Sequence, residues 1–422
     1  MATVSIRDEA TELLQELLRA DTVNPPGNET IAAELLRAYL EGAGVEYELF
    51  ARVPERANIV ARLPGRGGAT LALISHTDTV RADPEEWTVD PWSGELRDGQ
   101  IWGRGALDMK SQVAASAVAI AALARDGFVP AGDVIFVASA DEEVGEDFGL
   151  SWLCEKHPDA IRADYCVNEG GGDRLLIGGR TAYLCGTAEK MSSPFLLRVH
   201  GRSGHASMPG IADNALVRAA RLIERLAEYR PKTRVRPEAE AFLDLVGTSE
   251  PAELEPALRA IVEPMLSHSI SPTMIEASKQ RNVIPALCDV VCDCRLLPGE
   301  TQEEAEAEIR AALGEDSYEL IWLEGVGGTA SPLGTPLWSA IESFVKAEEP
   351  EAVLAPFVLA GFTDSHFMRE AFGTVCYGFF PMRAMDCEVA AALIHSADER
   401  IPVDDLELGT RFLLHVARTL GE

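Results

Sequence analysis

The stretch VIFVASADEEVGE, residues 134–146, constrains the fold more than any other part of the chain. Its apolar run, Val134 to Ala138, does not alternate with polar residues, which suits a strand buried on both faces of a parallel sheet. The run stops in Asp141, Glu142 and Glu143. Adjacent acids at a strand end raise one another's pKa values unless a cation offsets them. Sheets of this kind bind ligands at the carboxyl ends of their strands. Three adjacent acids at such an end are therefore costly unless something positive sits there.

The surrounding pattern agrees. Helical spacing runs over Arg7–Arg19 (Ala10, Leu13, Leu14, Leu17, Leu18), about 30–42 and about 111–126, with strands at about 46–51, 58–63 and 70–75 and a further one, DYCVNE, ending at Glu169. This is an α/β domain with a largely parallel sheet. From about Ser193 the texture changes to strand FLLRVHGRS, helix 213–229, strands TMIEASKQRNVIP and LCDVVCDCRLLPG, helix 301–313 and strand YELIWLE. The order β-α-β-β-α-β is ferredoxin-like, with an additional helical segment at about 237–267. Thr301 and Glu304 form a capping-box pattern at a helix start. After about Thr329 the α/β texture returns. The chain thus reads as an α/β domain, 1–190 and 327–422, interrupted by a smaller α+β domain, 191–326.

Charge narrows the partners. Asp plus Glu number 68 against 37 Lys plus Arg, a formal charge of −31. Nucleic acid and anionic membranes both need a basic surface, so neither is an expected partner. The longest apolar stretch, VAASAVAIAALA at 113–124, is too short to span a bilayer and reads as a buried helix. MATVSIRDEATELL carries charges where a signal peptide needs an apolar core, so a soluble cytoplasmic protein is expected. Cys288, Cys292 and Cys294 share one parity of a strand and read as small buried hydrophobes rather than as a zinc site.

Five segments place a potential metal ligand at the end of an element: His76 in LALISHTDTV, Asp108 in IWGRGALDMK, the acids of SADEEVGE, Glu169 in VNEGGG and His395 in AALIHSADERIP. Two histidines with carboxylates suit one or two divalent cations, Zn²⁺ before others. Each residue alone has an ordinary structural reading as a cap, a turn or a core histidine. The three acids together fit that reading less well, because packing at a strand end does not need them.

HTD, GRGALDMK, ADEEVG, NEGG, GRSGHAS and IHSADERIP occur in this order. Together they resemble the M20 family of metallopeptidases, which includes aminoacylases, acetylornithine deacetylases, succinyl-diaminopimelate desuccinylases and carboxypeptidase relatives. The resemblance implies a zinc-peptidase-like catalytic domain with a lid that also dimerises. It implies two Zn²⁺ per subunit, with Co²⁺ or Mn²⁺ as substitutes: His76 and Glu169 on one ion, Glu143 and His395 on the other, Asp108 bridging, and a cis peptide after Asp108. Glu142 would be the general base, and Asp78 would orient His76 through its other ring nitrogen. His205 would reach the neighbouring subunit's site and stabilise the oxyanion. Asn282 and Arg295 would hold a substrate carboxylate, and Thr363 would line the pocket. His200, His366 and Asp141 read as structural.

The departures TDTVRADP and DMKSQ from commoner family wording flank the ligands and leave them intact. The implied activity is hydrolysis of a linear amide in a small substrate with a free carboxylate, an N-acyl amino acid or a peptide C-terminus. A dipeptidase of the same family, or a non-catalytic binding protein on this fold, are the competing readings.

Overall fold

The computed structural model describes residues 5–145, 147–248, 253–254 and 256–421. They form two compact units, Met1–Thr187 with Ser331–Phe357 and Thr363–Glu422, and Ala188–Ala330 with Val358–Phe362.

The first unit is built on a nine-stranded sheet. At its centre Val134–Ser139, Leu71–His76, Tyr165–Asn168 and Val375–Gly378 run parallel. Glu46–Ala51 and Ala57–Leu63 extend one side antiparallel, and Arg180–Glu189 pairs antiparallel on the other. Leu71–His76 and Val134–Ser139 are buried at every position, because helices cover both faces. Successive side chains point to opposite sides of a strand. Leu71, Leu73, Val134 and Phe136 accordingly join the core under Ile6–Arg19, Lys110–Arg125 and Val403–Thr419. Ala72, Ile74, Ile135 and Val137 join the opposite core with Leu150, Leu153, Ile161 and Met368. This two-sided burial explains the absence of alternation in the apolar runs.

Lys110–Arg125 is buried around almost its whole circumference and packs against Ile6–Arg19 and Val403–Thr419. Its alanines allow that close approach. Among the described residues, no helix is long and apolar enough to cross a membrane.

In the second unit, Tyr318–Trp322, Phe195–His200, Leu287–Leu296 and Ser269–Glu276 lie in that order and antiparallel, the arrangement of a ferredoxin-like sheet. Helices Ala215–Glu228 and Gln302–Leu313 share its core. Cys288, Cys292 and Cys294 face that core and are fully buried, and all eight cysteines are free thiols. Thr301 and Glu304 form the capping box. The additional segment contains helices Pro237–Val246 and Pro256–Leu266; residues 249–252 and 255 of the predicted stretch lie outside the described residues.

Two small pairings lie below the reach of periodicity. Glu95–Arg97, Gln100–Trp102 and Arg400–Pro402 make a separate three-stranded sheet. Gly204–His205 pairs with Val283–Ile284. Strands of two or three residues carry too few positions to show an alternating pattern, yet both pairings position residues singled out above.

Candidate active site

The central strands deliver the site. His76 ends its strand opposite Ser139, the last residue of the neighbouring one. Asp141, Glu142 and Glu143 follow two residues later, and Glu169 directly follows Tyr165–Asn168. A Cβ on Gly378 would fall 2.1 Å from the Glu169 carbonyl oxygen, so glycine there lets the adjacent strand run close beneath the acid. Asp108 lies in the turn before Lys110–Arg125, and the Asp108–Met109 peptide is cis. His395 follows helix Cys387–Leu393 and adopts a positive φ of 59°.

These residues converge around Asp108. One of its oxygens lies 3.1 Å from His76 Nε2 and the other 3.1 Å from His395 Nε2. Glu169 Oε1 stands 3.8 Å from His76 Nε2, and Glu143 Oε2 3.1 Å from His395 Nε2. His76, Asp108 and Glu169 form one group with ligand atoms within 4.8 Å of one another; Asp108, Glu143 and His395 form a second. Asp108 belongs to both. Glu142 belongs to neither, and its Oε2 lies 3.9 Å from His76 Nε2.

Asp78 does more than the sequence suggests. His76 Nδ1 lies 3.1 Å from the Asp78 main-chain carbonyl and 3.5 Å from its carboxylate. The carboxylate makes its shorter bonds elsewhere, accepting the N–H groups of Glu142 and Glu143 at 3.1 Å each and Asn24 Nδ2 at 3.0 Å. Asp78 therefore holds the main chain of the acidic turn with its carboxylate and the histidine with its main-chain carbonyl.

Asp141 is the back of the same construction. At a φ of 63°, its carboxylate accepts Asn24 Nδ2 and Arg56 Nη2, each at 2.8 Å, and the N–H groups of Asp147 and Phe148. Arg56 also forks onto Glu29 at 2.5 and 2.7 Å. Glu29, Arg56, Asp141, Asn24 and Asp78 are all buried. Asn24 and Glu29 sit in the turn TVNPPGNE, but nothing in that stretch marks either as buried, and Arg56 looks like a surface charge.

The electrostatics are those of an acid-rich centre. Burial, then the charge of Glu169, pushes Glu142 well above the usual carboxylate range. Burial and Asp108 raise Glu169 to about 8. Burial works to raise Asp108 too, but the two imidazoles overcome it and hold Asp108 low. Hydrogen bonding to Asp108 and Glu143 raises His395 to about 10. Carboxylates outnumber imidazoles, and Glu143 Oε1 is buried without a hydrogen-bond partner among the described residues. An orphaned buried carboxylate oxygen is costly, and a divalent cation satisfies it. The donor set, imidazole nitrogens with carboxylate oxygens, suits zinc-type ions.

In the second unit, His205 and Asn282 are neighbours. His205 pairs with Val283, and the Ala206 N–H donates to the Asn282 carbonyl at 3.0 Å. His205 is exposed, and its Nδ1 accepts the Ser207 N–H at 3.2 Å. Arg295 donates to the Asp293 carboxylate at 3.0–3.2 Å. Arg295 stands near one end of Leu287–Leu296 and Asn282 lies beyond the other, a span of roughly 25 Å at the rise of a strand. Within one chain the two do not meet on one carboxylate. Thr363, in the first unit, is buried; its hydroxyl accepts the Ser365 N–H at 3.2 Å and lies 3.4 Å from Asn168 Nδ2. His366 is buried with Nδ1 2.7 Å from the Thr363 carbonyl, and His200 is exposed beside Glu319.

Residues 72–419 match the model of Peptidase family M20/M25/M40. Aminoacylase-1 of Sus scrofa is 27% identical over 402 residues, 92% of this chain and 89% of that protein. The succinyl-diaminopimelate desuccinylase of Rhodospirillum centenum is 29% identical over 414 residues, 93% and 92% of the two chains. Among solved structures, the M20 family metallo-carboxypeptidase Sso-CP2 from Sulfolobus solfataricus superposes with a TM-score of 0.77 at 19% identity, covering 98% and 99%. The Bacillus subtilis YXEP protein, described as a dinuclear metal binding peptidase, superposes at 0.64 and 12% identity, covering 98% and 97%. Fold and site together are those of a metal-dependent amide hydrolase. The chain belongs to the M20 peptidase family.

Proposed function

We propose that the protein hydrolyses the amide bond of an N-acyl amino acid, or of the C-terminal residue of a peptide, at a centre holding two Zn²⁺. The observation that carries this reading is the Asp108 carboxylate, shared by two imidazoles that each have a second acid of their own. His76, Asp108 and Glu169 would hold one ion, and Asp108, Glu143 and His395 the other. When bound, the ions supply Lewis acidity and lower the pKa of water at that place.

Glu142 serves as the general base. It is adjacent to one ligand and within 3.9 Å of another, yet belongs to neither ligand group. It takes a proton from the attacking water and delivers it to the leaving nitrogen, so that an amine and a carboxylate depart. Asp78 holds the Glu142 and Glu143 main chain and fixes His76 at the same time.

The lid completes the site in a homodimer. Because the Ser207 N–H donates to His205 Nδ1, the neutral ring carries its proton on Nε2. Nε2 is then a donor, as an oxyanion requires. The separation of Asn282 from Arg295 supports contributions from two subunits, with Asn282 and His205 coming from one and Arg295 from the other. Arg295 suits a substrate carboxylate through its planar fork, and Thr363 lines the pocket.

The decisive test is Glu142→Gln in metal-loaded enzyme, assayed on N-acetyl, N-succinyl and longer N-acyl amino acids beside dipeptides. Turnover falls by about 10²–10⁴-fold, while elemental analysis still finds two zinc per chain. Substantial residual activity removes Glu142 as the base. A folded, active sample without metal removes the mechanism.

A further inference from the structure

One carboxylate outside the two ligand groups is held as firmly as any within them. Glu399 is fully buried. Its Oε1 accepts the N–H groups of Leu107 at 2.6 Å and Asp108 at 3.0 Å, and its Oε2 accepts the N–H of Gly105 at 3.1 Å and Arg104 Nη1 at 2.7 Å. Every one of these donors lies in the stretch 104–108, which carries Asp108. Arg104 then uses Nη2 to donate to the Ser396 carbonyl at 2.8 Å, one residue after His395. The backbone repeats the link. Gly103 N–H donates to the Glu399 carbonyl at 3.0 Å, where strands Gln100–Trp102 and Arg400–Pro402 pair antiparallel.

We infer that Glu399 and Arg104 are positioning residues that fix the spacing between Asp108 and His395, and so shape the place of the ion held by Asp108, Glu143 and His395. The inference rests on the two-ion reading above. Asp108 is placed by its main chain, and its N–H is tied to Glu399. His395 and Asp398 both adopt positive φ, 59° and 62°, which persists in non-glycine residues only when the surroundings hold it. The Arg104–Ser396 bond and the Glu399 strand pairing provide that hold, and Thr88 pins Asp398 from outside through two 2.7 Å bonds.

The other ion place does not lean on this clamp to the same degree. His76 and Glu169 come from the ends of the central parallel strands, and only the shared Asp108 touches Glu399. A clamp defect therefore falls unequally on the two ions. A buried ion pair with a purely structural role would lower stability and leave the ratio of the two affinities unchanged.

The experiment uses the full chain, stripped with a chelator and titrated with Zn²⁺ by calorimetry against a competing chelator, with melting temperature followed in parallel. Wild type, Glu399→Gln and Arg104→Lys are compared. The first substitution turns an amide N–H towards donors. The second keeps the positive charge but loses the fork that reaches Glu399 and Ser396 together. Both variants are expected to bind one ion as tightly as wild type and the second about 10- to 100-fold more weakly, with activity restored by excess Zn²⁺. Equal weakening of both ions, or two wild-type affinities in Arg104→Lys, overturns the inference. Should Glu399→Gln not fold, Arg104→Lys alone decides. A wild type that binds a single ion removes the two-ion reading itself, an outcome distinct from unchanged variants.

Discussion

Arg56→Met tests whether the buried network behind the acidic turn holds the structure together. Arg56 is 6% exposed and bonds to Glu29, which is 0% exposed, and to Asp141, which is 3% exposed. Methionine fills most of the volume and leaves two carboxylates buried without their cation. Removing one partner of a buried pair costs about 3–5 kcal/mol. The first unit is somewhat larger than the 150–250 residues for which the shift is about 2–4 °C per kcal/mol, so the low end applies and it is expected to melt about 6–10 °C lower. Scanning calorimetry follows the transition of that unit in wild type, Arg56→Met, Glu29→Gln and the double variant. The double variant should melt above Arg56→Met alone, because one uncompensated charge is gone, with a coupling of about 1–3 kcal/mol. Burial already raises Glu29 with Arg56 present, and losing Arg56 raises it further. A carboxyl whose folded pKa lies above its unfolded value destabilises increasingly as pH rises between the two, and the cost vanishes below both. The gap between Arg56→Met and wild type should therefore narrow as pH falls towards 5. A variant within about 2 °C of wild type at pH 7, or a double variant no better than the single one, refutes the reasoning.

Two further outcomes are expected. Mixing inactive His205→Ala with inactive Asp108→Ala should restore activity to about a quarter of wild type, since random pairing of a twofold dimer leaves that share of sites intact; no recovery in verified mixed dimers counts against a shared site. Lys190 is fully buried, donates to the Ser267 carbonyl at 2.7 Å and is held down to about 8 by burial. The unfolded chain therefore binds more protons between pH 8 and 10.5, and stability relative to Lys190→Met should rise across that window by on the order of 2–3 kcal/mol. A melting difference that stays flat between pH 7.5 and 10 would show that Lys190 is not the group responsible.

The parts of the site legible in the sequence are those that break a local pattern. An apolar run that ends in His76 or in Asp141–Glu143 violates what packing requires, so the candidate ligands stand out. Their supports do not. Arg56, Asn24 and Glu29 are polar residues in polar stretches, and only the tertiary fold shows that they are buried together. Glu399 lies in the quoted motif DERIP, but its four donors are supplied by residues about 290 positions earlier. No local rule reports so distant a pairing. The strands that bring it there, Gln100–Trp102 and Arg400–Pro402, are three residues each and carry no period. Asp78 is readable as a partner of His76, whereas its hold on the Glu142 and Glu143 main chain is not, because backbone acceptors and donors have no sequence signature.

The split of the first unit around the second has a consequence for biosynthesis. His76, Asp108, Glu143 and Glu169 precede the inserted unit, and His395 follows it. Helix Val403–Thr419, which covers Lys110–Arg125 and Ile6–Arg19, also comes afterwards. Domains fold as units while the chain emerges. On the ribosome the inserted unit can finish folding while the apolar face of Lys110–Arg125 is still waiting for its cover. The group of Asp108, Glu143 and His395 lacks its histidine throughout that interval. The two candidate ligand groups are thus brought together only once the chain on both sides of the inserted unit has been made.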